Sequence, residues 1–265
     1  MQALSCGIDR TCAVCKDSRV PKKAALAGDI NRIVDGWHHD PHSILGAHID
    51  AKKSQVSIRI LRPWATSVTV VTKAGKIATT HEHRGVWLAI IPGTEIPDYR
   101  LEVSYGGDAL PADDPFHYLP SIGEVDLHLI GEGRHELLWT VLGAHVRSYE
   151  TELGTVTGVA FTVWAPNASG VRVVGDFNHW DGTSTPMRSL GSSGVWELFV
   201  PNIGTGVRYK FEIRSRDGRT LTKADPMAKR TEVPPSTASV VWESNYVWGD
   251  GEWMRNRNAN NPHNG

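Results

Sequence analysis

The stretch GVAFTVWAPNASGVRVVGDFNHW, Gly158 to Trp180, decides the fold. Val159, Phe161 and Val163 alternate with Ala160, Thr162 and Trp164. A period of two among β-branched and aromatic residues predicts a strand with one buried face. Ala165-Pro166-Asn167-Ala168 ends it, because Pro166 has no N–H for a ladder and Asn167 favours a turn. Val171, Val173 and Val174 predict a second strand, closed by Gly175-Asp176 and a loop carrying Phe177, Asn178, His179 and Trp180. An aromatic held out on a polar loop suits a sugar site, and it equally suits an ordinary sandwich corner.

The same pattern occurs earlier. Ile58-Arg59-Ile60-Leu61-Arg62-Pro63-Trp64-Ala65 aligns with Phe161-Thr162-Val163-Trp164-Ala165-Pro166-Asn167-Ala168, and Val68, Val70 and Val71 then fall on Val171, Val173 and Val174. Further on, Gly85-Val86-Trp87 matches Gly194-Val195-Trp196, Tyr99 to Val103 matches Tyr209 to Ile213, and Asp114-Pro115 matches Asp225-Pro226. The lead-ins Leu45-Gly46-Ala47-His48 and Leu142-Gly143-Ala144-His145 agree as well. Anchors kept in one order predict a tandem duplication of a β-domain of roughly 100 residues, a common domain size. Pro63 is expected to superpose on Pro166, and Trp87 on Trp196.

A chain of 265 residues has room for two such domains. Its 28 Lys and Arg balance 29 Asp and Glu, so no net charge steers it to nucleic acid or to an anionic membrane. No apolar run reaches membrane-spanning length, and Asp9, Arg10, Lys16, Asp17 and Arg19 interrupt any secretory pattern at the start. Cys6, Cys12 and Cys15 are confined to that end, an odd set that makes neither a disulfide framework nor a complete zinc site. The chain reads as cytosolic, with an unstructured leader over residues 1–27.

Along the chain, Asp29 to Gly36 predicts a short helix stopped by Gly36. Trp37-His38-His39-Asp40-Pro41-His42 gathers metal-ligating types, but at no helix-face spacing and with no second cluster to complete a shell. Strands are expected at 55–61, 67–72, 76–82, 86–91 and 99–104, with Gly75, Gly85 and Pro92-Gly93 as punctuation. Asp113 and Asp114 are neighbours on an extended segment and point to opposite faces, so they read as a turn before Pro115 rather than an acid and base pair. Arg134 to Leu142 is expected to form a connector helix with Leu137, Leu138, Val141 and Leu142 on its apolar face. Strands follow at 158–164, 170–175, 194–200, 206–214, 219–222 and 237–242, and then an Asn/Arg-rich tail too polar to fold alone.

Five segments resemble a known family: DPHSILGAH (40–48), PSIGEVDLHLIGEGRHELLWTVLGAH (120–145), GVAFTVWAPNASGVRVVGDFNHWDG (158–182), SGVWELFVP (193–201) and KADPMAKRTEVPPSTASVVW (223–242). From about residue 28 onward the chain resembles the N-terminal half of glycogen (1,4-α-glucan) branching enzymes of the actinobacterial type. The third and fourth segments are shared more widely among family-48 carbohydrate-binding modules. The resemblance implies an all-β fold of two tandem immunoglobulin-like β-sandwiches joined by a short helical connector. The expected boundaries are a first sandwich with its N-terminal helix over 28–130, a connector over 131–149, a second sandwich over 150–246, and a linker over 247–265. It also implies a catalytic barrel as partner, and the chain stops at Gly265, about where that barrel would begin. No catalytic residue, metal or cofactor is therefore expected here, and no Ser/His/Asp set or Gly-rich phosphate loop stands out.

What the resemblance does imply is a site for α-glucan, meaning glycogen or maltooligosaccharides. Trp180 and Lys210 sit where the binders of this family place a stacking tryptophan and a lysine, with Asn178 beside them as a hydrogen-bonding group. Those binders add a second tryptophan after the Tyr-Lys-Phe strand, where this chain has Asp217-Gly218-Arg219-Thr220. One platform in place of two implies weak binding, in the millimolar range of about −4 kcal/mol. Met227, Val233, Pro234 and Pro235 are the expected apolar patch toward the barrel. The alternative is a stand-alone α-glucan-binding or regulatory protein. A pair of interaction domains with no sugar affinity stays open as well, because sandwiches host many functions.

Overall fold

The computed structural model describes residues 23–257. The leader with Cys6, Cys12 and Cys15, and residues 258–265 of the tail, lie outside the described residues.

The chain forms two β-sandwiches. Burial alternates along strands of the first, as at Gln55–Leu61 and Ser67–Thr72. Gly154–Trp164 and Val195–Pro201 of the second are instead buried on both faces. The stretch expected to have one buried face thus has two, the second lying under Tyr118 and Phe199. The first sandwich contains β1 (Gly46–Asp50), β2 (Gln55–Leu61), β3 (Ser67–Thr72), β4 (Gly75–Ala78), β5 (Thr80–His83), β6 (Val86–Pro92), β7 (Tyr99–Ser104) and β8 (Leu110–Ala112). Its two sheets run β1-β2-β6-β5 and β4-β3-β7-β8. The second contains β9 (Gly143–Thr151), β10 (Gly154–Trp164), β11 (Ala168–Gly175), β12 (Arg188–Ser189), β13 (Val195–Pro201), β14 (Arg208–Ser215), β15 (Thr220–Lys223), β16 (Arg230–Thr231) and β17 (Ser239–Val240). Its sheets run β12-β13-β10-β9 and β11-β14-β17-β16, with β15 also on β14.

The duplication is visible in the hydrogen-bond register. Ile60 pairs with Trp87 as Val163 pairs with Trp196. Val68 pairs with Val103 and Val70 with Leu101, as Val171 pairs with Ile213 and Val173 with Phe211. Each module also ties its outgoing chain to its core in one way. The Tyr99 hydroxyl donates to Asp114 at 2.7 Å, and the Tyr209 hydroxyl donates to Asp225 at 2.5 Å. Both carboxyls are buried, which raises their pKa, and both phenols are pushed well above their ordinary value by the same burial. Gly46 and Gly143 open the two modules at φ +80° and +104°, where a Cβ would fall against the carbonyls of Phe116 and Met227. His48 and His145 follow, each bonding the carbonyl three residues back.

Besides β9, which starts the second sandwich at Gly143 inside the expected connector over 131–149, three expectations change. The strand expected at 76–82 splits at Thr79, and its halves join opposite sheets as β4 on β3 and β5 on β6. The connector is helical, but the helix is α2 (Glu124–Gly131), and Arg134 to Leu142 holds only a single 3₁₀ turn at Leu138–Thr140. Gly133 at φ +68° stops α2, and Glu124 and Asp126 favour its start. The third concerns which sandwich the first helix serves. α1 (Lys23–Val34), which starts before the expected Asp29, buries Ile30 and Ile33 in one core with Val159, Phe161, Val171 and Tyr209 of the second module.

That core crosses the joint, since Leu61, Val86 and Phe116 of the first half belong to it too. Gly36 ends α1 at φ +74°, and Trp37 then lies over Gly170 with the Arg172 guanidinium 4.0 Å from its ring centre. Asp113 accepts from Asn202 at 3.0 Å across the joint, and Arg100 reaches both Asp113 and the Thr155 carbonyl. Arg188 and Glu197, 6% and 0% exposed, pair at 2.6 Å, and they also hold the Tyr118 carbonyl and the Ser121 amide.

His42 sits beside this pair with both ring nitrogens buried and without a well-formed hydrogen bond. Burial, then the Arg188 charge and His48, lower its pKa well below 6.5, and the Pro115 carbonyl opposes them only in part. The unfolded chain therefore takes up the proton first as pH falls. Stability is complete above about pH 6.5 and is lost below it. Urea unfolding between pH 7.5 and 5 is expected to show falling stability, with a shallower slope for His42→Gln by up to about 1.4 kcal/mol per pH unit. An unchanged slope in that variant would mean that other groups carry the acid sensitivity.

Candidate functional site

β11 and β14 pair down to Val174 opposite Lys210 and Gly175 opposite Tyr209, and the loop with Trp180 leaves from that end. In β14, Tyr209 and Phe211 face the core while Arg208, Lys210 and Glu212 face outward, as a period of two requires. In the loop, Phe177 turns inward and stacks on Phe161 at 5.7 Å. His179 and Trp180 take φ +54° and +63°, so the chain reverses and the indole is left 40% exposed. Left-handed conformations in bulky residues cost on the order of 1–3 kcal/mol each and need outside support.

Asn178 is that support. Its Oδ1 accepts from the Gly175 amide at 2.9 Å, while its Nδ2 donates to the Val173 carbonyl and the Thr185 hydroxyl at 3.0 and 2.9 Å. With both amide hydrogens committed inside the loop, Asn178 sets the shape of the site and presents no donor to a ligand. Trp180 is held from outside as well. The Asp176 carboxylate takes Nε and Nη2 of Arg208 at 2.9 and 3.0 Å, and Arg208 chiefly, with the Trp180 indole N–H as a lesser contributor, keeps its pKa below the usual range. Lys210 donates to the Thr237 hydroxyl at 2.7 Å, which draws the turn between β16 and β17 alongside.

Trp180 and Lys210 thus share one end of one sheet, and Asp176, Arg208 and Thr237 complete the surface between them. Sequence reasoning passed over these three. Arg208 stands two residues before Lys210 and so on its face, a signal that was available. Thr237, 27 residues beyond Lys210 in the chain, gave none.

The first module cannot repeat the arrangement. β4 covers the edge of β3 where the second module has its loop, and Arg100, the counterpart of Lys210, is spent on Asp113 and Thr155 at the joint.

A separate groove of about 370 Å³ lies between the connector and the second module, lined by Ile130, Leu138, Leu142, Trp164, Pro226 and Met227. Its one buried acid, Asp225, is the structural twin of Asp114, so a raised pKa there reflects the duplication rather than chemistry. Of the expected barrel-facing residues, Met227 lines this groove, whereas Val233, Pro234 and Pro235 are exposed on the turn beyond Arg208. Among the described residues no group of three or more His, Cys, Asp or Glu could hold a metal, and no helix is long and apolar enough to cross a membrane.

Comparison with known proteins places the two halves. Residues 141–228 match carbohydrate-binding module 48 (isoamylase N-terminal domain), so the second sandwich is a carbohydrate-binding module by class. Residues 27–116 match the N-terminal domain of alpha-1,4-glucan branching enzyme GlgB. Over these modules the chain belongs to the N-terminal region of the GlgB branching-enzyme family. It is 53% identical over 251 residues to 1,4-alpha-glucan branching enzyme GlgB of Thermobifida fusca, covering 94% of this chain and 33% of that protein. It is 55% identical over 231 residues to the enzyme of that name from Frankia casuarinae, covering 86% and 28%. The chain therefore spans about a third of the length of these relatives. Among solved structures it resembles type I pullulanase from Bacillus subtilis complexed with maltose, at TM-score 0.34 and 16% identity over 77% of this chain and 27% of that one. The pullulanase of Anoxybacillus sp. LM18-11 gives 0.31 and 17%, over 75% and 27%. Both likenesses are too distant to bear on function.

If Asn178 is a clamp and Trp180 a displayed ring, stability separates them. Asn178→Ala is expected to cost about 1–3 kcal/mol, since it strands the Gly175 amide, while the Val173 carbonyl keeps the Thr185 hydroxyl. Trp180→Ala is expected to cost clearly less. Urea midpoints of the two variants check this, and the reverse order would show Trp180 to be a packing residue.

Proposed function

We propose that the chain forms the non-catalytic N-terminal region of a 1,4-α-glucan branching enzyme in glycogen biosynthesis, with its second module holding α-glucan. The observation that carries the reading is Trp180, set in a left-handed turn that Asn178, Asp176 and Arg208 brace, with Lys210 on the same sheet end. A ring already fixed in place loses little entropy on binding, so the C–H face of a glucose unit can stack on it. Lys210 and Thr237 then offer a donor and a hydroxyl to the sugar edge. The apolar groove beside Trp164 and Met227 suits the seat of the catalytic barrel, because inter-domain surfaces are partly apolar. A stand-alone glucan binder would use the same platform; the identity to branching enzymes over both modules and the connector favours the first reading.

Affinity electrophoresis in a glycogen gel is expected to retard the chain. Trp180→Ala should lose most of that retardation and Lys210→Ala part of it, each still folded and unfolding cooperatively. Equal retardation of Trp180→Ala would move the site elsewhere or remove it. The buried carboxyls Asp113, Asp114, Glu197 and Asp225 all serve structural partners. Cleaving a glycosidic bond with retention needs two carboxyls about 5–5.5 Å apart and free to act. Purified chain is therefore expected to leave the amylose–iodine spectrum unchanged, and a blue-shifted spectrum would overturn that assignment.

A further inference from the structure

Beyond Arg208, on the side away from Trp180, the surface opens into a cleft of about 320 Å³ formed by the start of β14 and the β16–β17 hairpin. Its lining includes Arg208, Arg230, Thr231, Glu232 and Ser236. That volume lies within the range of small-molecule sites, about 300–1,000 Å³. No protein group fills it.

Arg208 forms the wall between the platform and the cleft. Its Nε and Nη2 face Asp176 on the Trp180 side, and its Nη1 reaches Glu232 at 3.3 Å on the cleft side. A guanidinium carries five N–H donors, so these bonds leave two unused, and the side chain is half exposed. Glu232 is fixed by accepting from the Ala238 amide at 3.0 Å, and its side chain is only 20% exposed. Arg230 is steadied by lying 4.4 Å from the ring centre of Trp242. The cleft therefore displays rigid donors and an acceptor side by side. Vicinal hydroxyls of a glucose unit ask for that pattern, each being donor and acceptor at once. A single small anion would meet Glu232, which argues against a phosphate. The balanced charge of the cleft, two arginines against Glu232 and the nearby Asp176, favours a neutral polyol.

We propose that this cleft is a second glucosyl subsite, contiguous with the Trp180 platform, in which Arg208 and Glu232 read adjacent hydroxyls of a longer α-1,4-glucan. The inference rests on the reading of Trp180 as a glucan platform. It supplies what a single aromatic ring lacks, which is a preference for chain length: a short ligand covers the platform alone, and a longer one gains the cleft as a linked contact.

NMR titration of the chain with maltose and with maltoheptaose tests it, following the Trp180 indole N–H and the Arg208 Nε–H. Both signals are expected to move with maltoheptaose, and this ligand is expected to bind at least five-fold more tightly than maltose. Ser236→Phe, an exposed position that fills the cleft without touching the Trp180 loop, is expected to abolish that advantage and leave maltose binding unchanged. Arg208→Lys, which keeps the charge but loses the fork, is expected to lower the advantage as well. If Trp180 responds to both sugars while Ser236→Phe keeps the full preference for maltoheptaose, the cleft is not a subsite. If Trp180 responds to neither, the platform itself fails and this inference falls with it.

Discussion

The arrangement of the two sandwiches depends on a charge pair that water does not reach. Arg188 and Glu197 lie on paired strands β12 and β13 of the second module, and they close on the carbonyl of Tyr118 and the amide of Ser121 as the chain leaves the first. Desolvating two ions is costly, and the cost is recovered only when every remaining lone pair and proton finds a partner. Here the backbone of the connector supplies two of those partners, the Tyr118 carbonyl and the Ser121 amide. Removing one member would cost on the order of 3–5 kcal/mol, because the other would stay buried and uncompensated. Two hydrophobic residues of equal volume could hold the modules together as firmly. What the pair adds is directional bonds to the connector backbone.

Around that joint the modules are unequal partners. The first has turned its strand-end arginine and its aspartates inward to the interface, and it covers with β4 the edge that its twin leaves to a loop. The second keeps its outward face free, and the loop that leaves β11, before returning to bridge Arg172 at Pro186, displays an indole. A duplicated domain has in this way divided its work: one copy supplies a rigid mount and the other a surface. The supporting residues of that surface differ in kind from the displayed one. Asn178 was legible as a polar neighbour of Trp180, but only its three hydrogen bonds reveal that it faces the backbone and not the solvent.

Much of the fold was legible because period-two burial and the repeated anchors act over short distances. The pairing of Ile60 with Trp87 and of Val163 with Trp196 follows from an alignment of letters. What escaped are relations between segments far apart in the chain. Thr79 looks like the middle of one strand, yet the chain there leaves one sheet for the other, and local alternation carries no mark of that switch. The Arg134 to Leu142 segment has a helical apolar spacing, and Leu138 and Leu142 do pack inward. Only Leu138–Thr140 of it winds into a turn. The sequence marked a helix ending at Gly36 and assigned it to the first sandwich, since nothing local shows beneath which sandwich it lies. In the candidate site, Trp180 and Lys210 were read from the strand and loop that carry them, while Thr237 could be found only in three dimensions.

The position of α1 has a consequence for the order in which the chain folds. Ile30 and Ile33 leave the ribosome early, but the partners that bury them include Tyr209 and Val241, made roughly two hundred residues later. At about 5–20 residues per second, that interval lasts on the order of ten seconds or more. During it the first sandwich can close on its own core, whereas the helix face has only the part of its native surface that Leu61, Val86 and Phe116 supply. Contacts of such long sequence separation also slow the final step, since the loop must be closed before any burial repays it. The joint is therefore the last part of the molecule to become native, and its apolar helix is the element most in need of shelter until the second sandwich arrives.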